Sequence, residues 1–205
     1  MITYAITTHN EGKGYLDKVI RQILQVKGRH DEVIILDDHS TETETCEILE
    51  SCGIPVIQHE LNNDFATHKN QIATHAKGDY IFQIDGDEFL GVDLADNLPE
   101  LLFENPDVDM FYVPRVNIVH GLTHADVLRW NWRVDDKNRV MWPDYQTRIY
   151  KNNGKLFWKN AVHEVLTSNY DIVVGQLPEE ETWALQHHKD ILRQRQQNEF
   201  YATIK

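Results

Sequence analysis

The chain has 205 residues, of which 41% are hydrophobic and 26% are charged, a composition typical of one compact domain with a substantial core. The formal net charge of −13 argues against nucleic acid and anionic membrane surfaces as partners. The sequence starts without a basic and apolar leader and contains no apolar run of about 20 residues, so we expect a cytoplasmic protein without a transmembrane segment.

The first predicted elements alternate between strands and helices. The opening strand runs into the polar loop Thr8–Gly14, and the helix that follows carries its apolar residues on one stripe. A second strand, Glu32–Leu36, ends in Asp37-Asp38-His39-Ser40, and the next helix is predicted to begin with a capping box of Thr41 and Glu44. This order is typical of an α/β fold with a parallel sheet.

A strand-like apolar segment within residues 80–89 stops at three acids, Asp85, Asp87 and Glu88. Carboxylates at an exposed strand tip suit a metal ion, and Asp-Gly-Asp can place two of them on one hard cation, with Gly86 allowing a tight turn. In an open α/β sheet, ligands bind at this edge. The alternative interpretation is an ordinary acidic turn, because turns also favour acids and glycine.

The pattern changes to β after Asn105-Pro106, which follows a predicted helix over Ala95–Glu104. Met110–Val119 and Val127–Val134 are predicted to be strands separated by a hairpin-like excursion rather than by a second βαβ unit. A terminal helix is predicted over Asp190–Ile204. The later part of the chain is therefore expected to differ in architecture from the first part.

Three segments of the first part form an ordered set at the ends of successive predicted strands. They are Thr7-Thr8-His9-Asn10-Glu11, Asp37-Asp38-His39-Ser40, and Ala76–Ile81 leading into Asp85-Gly86-Asp87-Glu88. Together they resemble the family-2 glycosyltransferases of the GT-A fold, over nearly the whole chain. The resemblance implies an α/β fold with a Rossmann-like mixed sheet flanked by helices in a single domain. It also implies a nucleotide-sugar-binding half, an acceptor-binding half with a β excursion, and a C-terminal helix, at residues 1–104, 105–188 and 189–205.

The resemblance implies a nucleotide-sugar site at the sheet edge. In this family the first two loops bind the base and ribose, and the Asp-x-Asp motif binds a divalent ion on the diphosphate. Nucleotide contacts are thereby implied for Thr7, Thr8, His9, Glu11, Asp38, Lys69 and Asp85. Metal contacts are implied for Asp85 and Asp87, with Mn²⁺ or Mg²⁺ as the ion. The charge balance favours the same cofactor, because an acidic protein that holds a diphosphate beside carboxylates needs a cation between them.

Lys69 stands where many family members have an arginine. A lysine supplies a point charge for phosphate but lacks the bidentate fork of a guanidinium. The alternative interpretation of Lys69 is a solvated helix residue.

A second block continues the resemblance and consists of Trp142–Tyr150, Gly154-Lys155-Leu156 and Ala161-Val162-His163-Glu164. Inverting members use an acid in this block as the general base toward the acceptor hydroxyl, so Asp144 inherits that role and Glu164 is the alternative. His163 matches a histidine that completes the metal coordination in some metal-dependent relatives. The chain departs from the commoner pattern by having Pro143-Asp144 where many relatives have Glu-Asp.

Two features of the later part have open interpretations. The segment His187-His188-Lys189 is predicted to be a loop that either closes over the diphosphate or links to the terminal helix in solvent. All five tryptophans lie in this part, and indole faces bind the apolar faces of sugars. Trp142 is the best placed of them for such a contact, although large aromatics in small domains more often belong to the core.

The resemblance implies an inverting, metal-assisted glycosyltransferase that uses a nucleoside diphosphate sugar, with UDP favoured, and a hydroxyl acceptor on a glycan, a lipid-linked sugar or a protein glycan. One alternative is a sugar-phosphate nucleotidyltransferase, but those enzymes open with a glycine-rich loop that carries an arginine, and Thr8–Gly14 has none. Another is a non-catalytic sugar-nucleotide-binding module, which would be expected to have lost Asp85, Asp87 or Asp144.

Overall fold

The computed structural model describes residues 1–12 and 14–203, and these form a central seven-stranded mixed sheet with a smaller three-stranded sheet at its side. The predicted α/β architecture, a mixed sheet flanked by helices, is confirmed. The strands are β1 Ile2–Thr8, β2 Glu32–Asp37, β3 Val56–Gln58, β4 Tyr80–Asp85, β5 Glu88–Leu90, β6 Met110–Val113, β7 Arg115–His120, β8 Gln146–Lys151, β9 Leu156–Lys159, β10 Val165–Ser168, β11 Val174–Gln176 and β12 Leu185–Asp190.

Helices flank the sheet, and the first of them packs on it through an apolar stripe. In the first helix the stripe consists of Leu16, Val19, Ile20 and Ile23, all of which are buried. The helices are α1 Leu16–Val26, α2 Thr43–Ser51, α3 Phe65–His75, α4 Val92–Glu104, α5 His124–Trp130 and α6 Ile191–Thr203. None of the helices in the described ranges combines the length and the apolar character that crossing a membrane requires.

The central sheet has the order β11-β6-β8-β4-β1-β2-β3. Strand β1 lies between β2 and β4 and is parallel to both, with Thr8 opposite Asp37 and Thr7 opposite Asp85. Because parallel strands point the same way, their carboxyl ends meet at one edge of the sheet. The prediction that three strand ends deliver polar residues to one edge is therefore confirmed.

Two hydrophobic clusters hold the sheet in place, one on each face. Alternate residues of β4 go to opposite sides, so that Phe82 packs in the cluster that includes the α1 stripe and Ile81 packs in the other cluster with Trp158. All three side chains are almost fully buried, and burying a large apolar side chain contributes about 1.5–3 kcal/mol. The edge of the sheet is thus a rigid support for the residues that follow each strand.

The smaller sheet has the order β5-β12-β7, and it corrects one prediction. Residues 187–189 were expected in a loop, but they lie in β12, which pairs with β5 antiparallel and with β7 parallel. Accordingly His187 lies opposite both Glu88 and Asn117. The segment is fixed by two strands rather than free to close over a ligand.

Two further sequence predictions were wrong. The residues of Val127–Val134 were expected to form a strand, but α5 covers the first half of them, and Thr123 and Asp126 form a complete capping box at its start. The capping box expected at Thr41 and Glu44 is not formed, because the helix begins at Thr43 without a side-chain cap. The terminal helix is confirmed as α6 from Ile191, and residue 204 of the expected range lies outside the described residues.

Candidate active site

A cleft of about 910 Å³ opens at the carboxyl ends of β1 and β4. Its volume is within the range of about 300–1,000 Å³ that is usual for ligand sites. The residues that the sequence nominated for catalysis, nucleotide binding or metal binding all lie on its wall, namely Thr7, Thr8, His9, Glu11, Asp38, Lys69, Asp85, Asp87, Asp144, His163 and Glu164. The fold therefore brings together residues that are up to about 157 positions apart in the chain.

The loop after β1 is held against the loop after β2. The His9 ring donates from Nδ1 to the backbone carbonyl of Asp38 at 2.7 Å, and the Asp38 carboxylate accepts the Leu61 N–H at 2.7 Å. The Glu11 carboxylate accepts a hydrogen bond from the Thr8 hydroxyl, and burial raises the pKa of Glu11 above its ordinary value. These hydrogen bonds fix the positions of the two loops at the edge of the cleft.

Gly86 lies in the turn that its place in Asp-Gly-Asp suggested, and it has a second role as well. A Cβ built on Gly86 would lie 3.2 Å from both Glu11 Cγ and Thr8 Oγ1, which is tighter than ordinary van der Waals contact. The Gly86 N–H also donates to the Thr7 carbonyl at 2.8 Å. The glycine thus lets the acidic turn approach the loop after β1 closely.

Asp85 is neutralised by a buried arginine. Arg148, on the neighbouring strand β8, donates to Asp85 Oδ2 at 2.6 Å, and the Thr7 hydroxyl donates to Oδ1 at 2.8 Å. Burial acts to raise the pKa of Asp85, but the charges of Arg148 and Lys69 outweigh it and hold the pKa well below the ordinary value. Asp85 is therefore a permanently ionised group whose charge is already balanced.

Asp87 is buried rather than exposed as expected, with 5% of its surface accessible. Its Oδ2 atom lies 3.4 Å from His187 Nε2, 3.5 Å from Arg193 and 3.9 Å from Lys189. Burial acts to raise its pKa, but His187 and the two cations lower it well below the ordinary value. All three separations exceed the usual hydrogen-bond range of about 2.7–3.2 Å, so no short hydrogen bond ties Asp87 Oδ2 to these side chains.

Glu88 joins the acidic turn to the opposite wall of the cleft. Its fully buried carboxylate accepts hydrogen bonds from Arg148 at 2.7 Å and from Arg115 at 3.0 Å. Arg115 in turn donates to Asp144 Oδ2 at 2.6 Å and 2.9 Å. One connected ionic network therefore runs from the end of β4 to the candidate base.

Asp144 also accepts hydrogen bonds from Asn117 at 2.8 Å and from Gln146 at 2.8 Å. Burial acts to raise the pKa of Asp144, but Arg115 and these amides lower it below the ordinary value. The alternative base, Glu164, forms an ion pair with Lys69, whose ammonium lies 4.6 Å from the Trp158 ring centre. Both candidate bases are therefore paired with a cationic side chain, Asp144 with Arg115 and Glu164 with Lys69.

The histidine beside Asp87 is His187, which sequence reasoning did not nominate as a metal ligand. His163 lies exposed before β10, with a positive φ of 54°. Across residues 1–12 and 14–203, no group of three or more His, Cys, Asp or Glu side chains is arranged to hold a metal. Mg²⁺ is commonly bound by only one or two protein side chains, with substrate phosphates and water completing its shell.

The donor set of Asp87 and His187 fits such an ion. Two adjacent ligands of an octahedral ion, each about 2.1 Å from it, are about 3.0 Å apart, and the measured Oδ2 to Nε2 separation is 3.4 Å. Asp85 is less available, because Arg148 and Thr7 bind its oxygens. The residues present are therefore compatible with a divalent ion that a bound diphosphate helps to coordinate.

Sequence reasoning also missed Arg115, Arg193 and the aromatic residue of the cleft wall, whereas it had considered Lys189 as part of a loop over the diphosphate. Arg115, Lys189 and Arg193 line the cleft, although the sequence around Arg115 carries no motif that indicates it. Trp132 lines the cleft, whereas Trp142 packs against Arg139, whose guanidinium is 4.4 Å from the ring centre. The expectation that Trp142 is the best placed tryptophan is thus not supported by its position.

The chain resembles known proteins over most of its length. A family model described as glycosyl transferase family 2 matches residues 3–166. Glycosyltransferase SunS of Bacillus subtilis is 24% identical over 168 residues, which cover 80% of this chain and 34% of that protein. A glycosyltransferase of Rickettsia bellii is 28% identical over 175 residues, covering 83% of this chain and 54% of that protein. The chain thus spans about a third to a half of the length of these relatives.

Solved structures share the fold at low sequence identity. Staphylococcus aureus TarS superimposes with a TM-score of 0.58 and 15% identity, covering 93% of this chain and 36% of TarS. A structure of TarS 1–349 in complex with UDP-GlcNAc superimposes with a TM-score of 0.53 and 14% identity, covering 89% of this chain and 60% of that one. The arrangement of the central sheet and its helices is that of the GT-A fold.

Proposed function

The chain belongs to glycosyl transferase family 2, and on that premise we propose that it transfers a sugar from a nucleoside diphosphate sugar to an acceptor hydroxyl, with inversion at the anomeric carbon and assistance from a divalent metal ion. The observation that carries the proposal is the position of Asp87 in a cleft that also contains Lys69, Lys189 and Arg193. A diphosphate bound there would meet cations on several sides.

We propose that UDP is the nucleotide of the donor. Structures of TarS 1–349 contain UDP and UDP-GlcNAc, and we carry the uridine nucleotide over to this chain as part of the proposal. The base and ribose would bind along Thr7, Thr8, His9 and Glu11, with Asp38 accepting a hydrogen bond from the base. Support comes from the bond between His9 and Asp38, which joins the two loops into one surface.

The metal ion would be held by Asp87 and His187, with the diphosphate as a further ligand. When bound, Mn²⁺ or Mg²⁺ would offset the negative charge that grows on the departing diphosphate. Lys69 and Arg193 would act on the same leaving group. Asp85, beside Lys69 and Arg148, would orient the lysine and the ribose side of the donor. His163 remains a predicted metal ligand that competes with His187.

Asp144 would be the general base, and Glu164 is the alternative. A hydroxyl that attacks the anomeric carbon must lose its proton, and an ionised carboxylate within hydrogen-bond reach can accept it. The contacts with Arg115, Asn117 and Gln146 keep Asp144 ionised and fix its direction. Its lowered pKa means that proton acceptance would occur late, when the attacking oxygen has become acidic.

Family membership favours glycosyl transfer over the nucleotidyl transfer that the sequence left open. The presence of Asp87 and Asp144 in one cleft favours a catalyst over a non-catalytic binding module. The acceptor would be a hydroxyl of a glycan, a lipid-linked sugar or a protein glycan, and a cytoplasmic location remains our prediction.

The proposal can be tested by measuring the affinity for UDP with and without Mn²⁺ by calorimetry. We expect Asp87→Asn and His187→Gln each to remove most of the Mn²⁺-dependent part of the affinity, and sugar transfer with it. The matched control is His163→Gln, which alters an exposed histidine of the same cleft. UDP affinities equal to those of the wild type in both Asp87→Asn and His187→Gln, at saturating Mn²⁺, would reject the metal site; a larger effect of His163→Gln would assign the ligand to His163.

A further inference from the structure

Asn117 lies between the side of the cleft that contains Asp144 and the side that contains Asp87 and His187. It sits on β7 directly opposite His187 of β12, in the register of two paired parallel strands. Its side-chain Nδ2 donates to Asp144 Oδ2 at 2.8 Å, and its Oδ1 is 2.7 Å from His187 Nδ1. One amide therefore touches both the candidate base and the histidine beside Asp87.

The chemistry of these partners leaves the amide one orientation. An ionised carboxylate only accepts hydrogen bonds, so Asn117 must present its NH₂ group to Asp144 and its carbonyl to His187. A carbonyl also only accepts, so His187 must carry a proton on Nδ1. In the uncharged imidazole the lone pair is then on Nε2, the atom that lies 3.4 Å from Asp87 Oδ2.

A lone pair that faces a carboxylate is the arrangement that a cation stabilises. Ligating histidines commonly donate their other ring N–H to a protein acceptor, which fixes both the tautomer and the direction of the ring. Here that acceptor is the Asn117 carbonyl. The backbone of Asn117 is itself anchored, because its carbonyl accepts the Val140 N–H at 2.8 Å.

We propose that Asn117 is a positioning residue that sets the Nδ1–H tautomer of His187 and the direction of the Asp144 carboxylate together through one side-chain amide. The metal side of the site and the acceptor side would then be organised by a common group. The functional consequence rests on the proposed function, whereas the tautomer is a property of the protein alone.

The test uses imidazole ¹⁵N NMR on histidine-labelled protein without metal or nucleotide, at a pH at which His187 is uncharged. The His187 signals are assigned by their loss in His187→Gln. We expect the Nδ1–H form in the wild type. In Asn117→Leu, which keeps the size of the side chain but removes the amide, we expect the Nε2–H form to become populated, since Asp87 can accept that proton.

The matched control is Gln146→Leu, which removes another hydrogen bond to Asp144 but has no bond to His187. It should leave the His187 tautomer unchanged. If Asn117→Leu fails to fold, Asp144→Asn provides a second route, because an amide at position 144 no longer dictates how Asn117 points and His187 should become a mixture of tautomers. An Nε2–H form in the wild type, or an unchanged tautomer in the Asn117 or Asp144 variant, would overturn the proposal.

A second readout separates this inference from the proposed function. We expect Asn117→Leu to weaken the Mn²⁺ dependence of UDP binding by about 10- to 100-fold, the usual cost of losing a partner of a metal ligand. If the tautomer changes while the Mn²⁺ dependence does not, His187 is not a metal ligand and the metal part of the proposed function fails. The positioning role of Asn117 would stand in that case.

Discussion

The two parts of the chain contribute opposite charges to the cleft. The first part, up to residue 104, supplies the carboxylates Glu11, Asp85, Asp87 and Glu88, of which Asp87 and Glu88 are buried. The later part supplies the cations that pair with them, namely Arg115, Arg148, Lys189 and Arg193. Lys69 in the first part and Asp144 and Glu164 in the second depart from this division.

This difference shows why the overall charge describes the cleft poorly. A net charge of −13 suggested that a diphosphate could be held only with an added cation between it and the acids. The acids are instead neutralised locally by side chains from strands that are distant in the sequence. Any metal ion would therefore bind beside carboxylates whose charges are already paired with arginine and lysine side chains, and not among unpaired acids.

The largest expected effect is a loss of transfer rate on substitution of Asp144, the candidate base in the later part of the chain. Asp144→Asn keeps the shape of the side chain but removes its basicity, so the transfer rate should fall by about 10²- to 10⁴-fold. Donor affinity should stay near that of the wild type, as measured by calorimetry. Glu164→Gln is the comparison variant. A few-fold loss for Asp144→Asn together with complete loss for Glu164→Gln would transfer the role to Glu164, and retention of anomeric configuration would reject both.

Arg148 tests the pairing of the two parts directly. Arg148→Met takes the main cationic partner from Asp85 and from the fully buried Glu88, so the free energy of unfolding should fall by about 3–5 kcal/mol. Lys151→Met on the same strand removes a more exposed ion pair with Asp109 and should cost about 1 kcal/mol or less. Urea unfolding measures both. Equal losses in the two variants would contradict a special role for the buried network.

Substitution of Asp38 tests the proposed nucleotide-binding side of the cleft, whose residues all lie in the first part of the chain. Asp38→Ala should weaken UDP binding by about 1–3 kcal/mol, the cost of losing a hydrogen bond to a charged group. Because the Asp38 carboxylate also accepts the Leu61 N–H, Asp38→Asn is the control that keeps an acceptor oxygen for the loop. Calorimetric affinity for UDP that is unchanged in Asp38→Ala would remove this residue from the site.

The smallest expected effect is on the pH dependence of stability and concerns His68, a buried histidine in the first part of the chain. Burial lowers the pKa of His68 to about 4 from its ordinary value of 6.5. The unfolded chain therefore binds the proton more readily between these values, and the stability that the neutral form supports is lost as the pH falls through this window. Allowing for partial solvent screening, we expect about 1–2 kcal/mol from this group.

The measurement is urea unfolding at pH 7 and at pH 4.5. His68→Gln should reduce the difference in stability between the two pH values, whereas His75→Gln, which alters an exposed histidine of the same helix, should not. If the free energy of unfolding depends on pH identically in the wild type and in His68→Gln, burial of His68 does not contribute to the pH dependence of stability.

The sequence predicts the first part of the site well because topology alone brings its residues together. Asp38 and Asp87 follow, and Asp85 ends, strands that run parallel within one mixed sheet, so their meeting needs no knowledge of side-chain contacts. The family resemblance then supplied their expected roles. The prediction that they share one edge required only the order of strands and helices.

The later part could not be predicted in the same way, because its functional side chains lie along strands that pair over long distances. His187 meets Asn117 only through the pairing of β12 with β7, and no local pattern indicates that register. The strand expected after Val127 was wrong for a different reason. Its apolar residues suggested β structure, but the Thr123 and Asp126 cap was a readable local signal for a helix.

The position of β12 between β5 and β7 has a consequence for how the protein is made. About a hundred residues separate Asp87 from His187, and ribosomes add about 5–20 residues each second, so about 5–20 s pass between the two. During that interval Asp87 lacks His187, Lys189 and Arg193, the side chains that surround its carboxylate in the folded structure. The cleft therefore cannot be completed before β12 and the start of α6 have been synthesised.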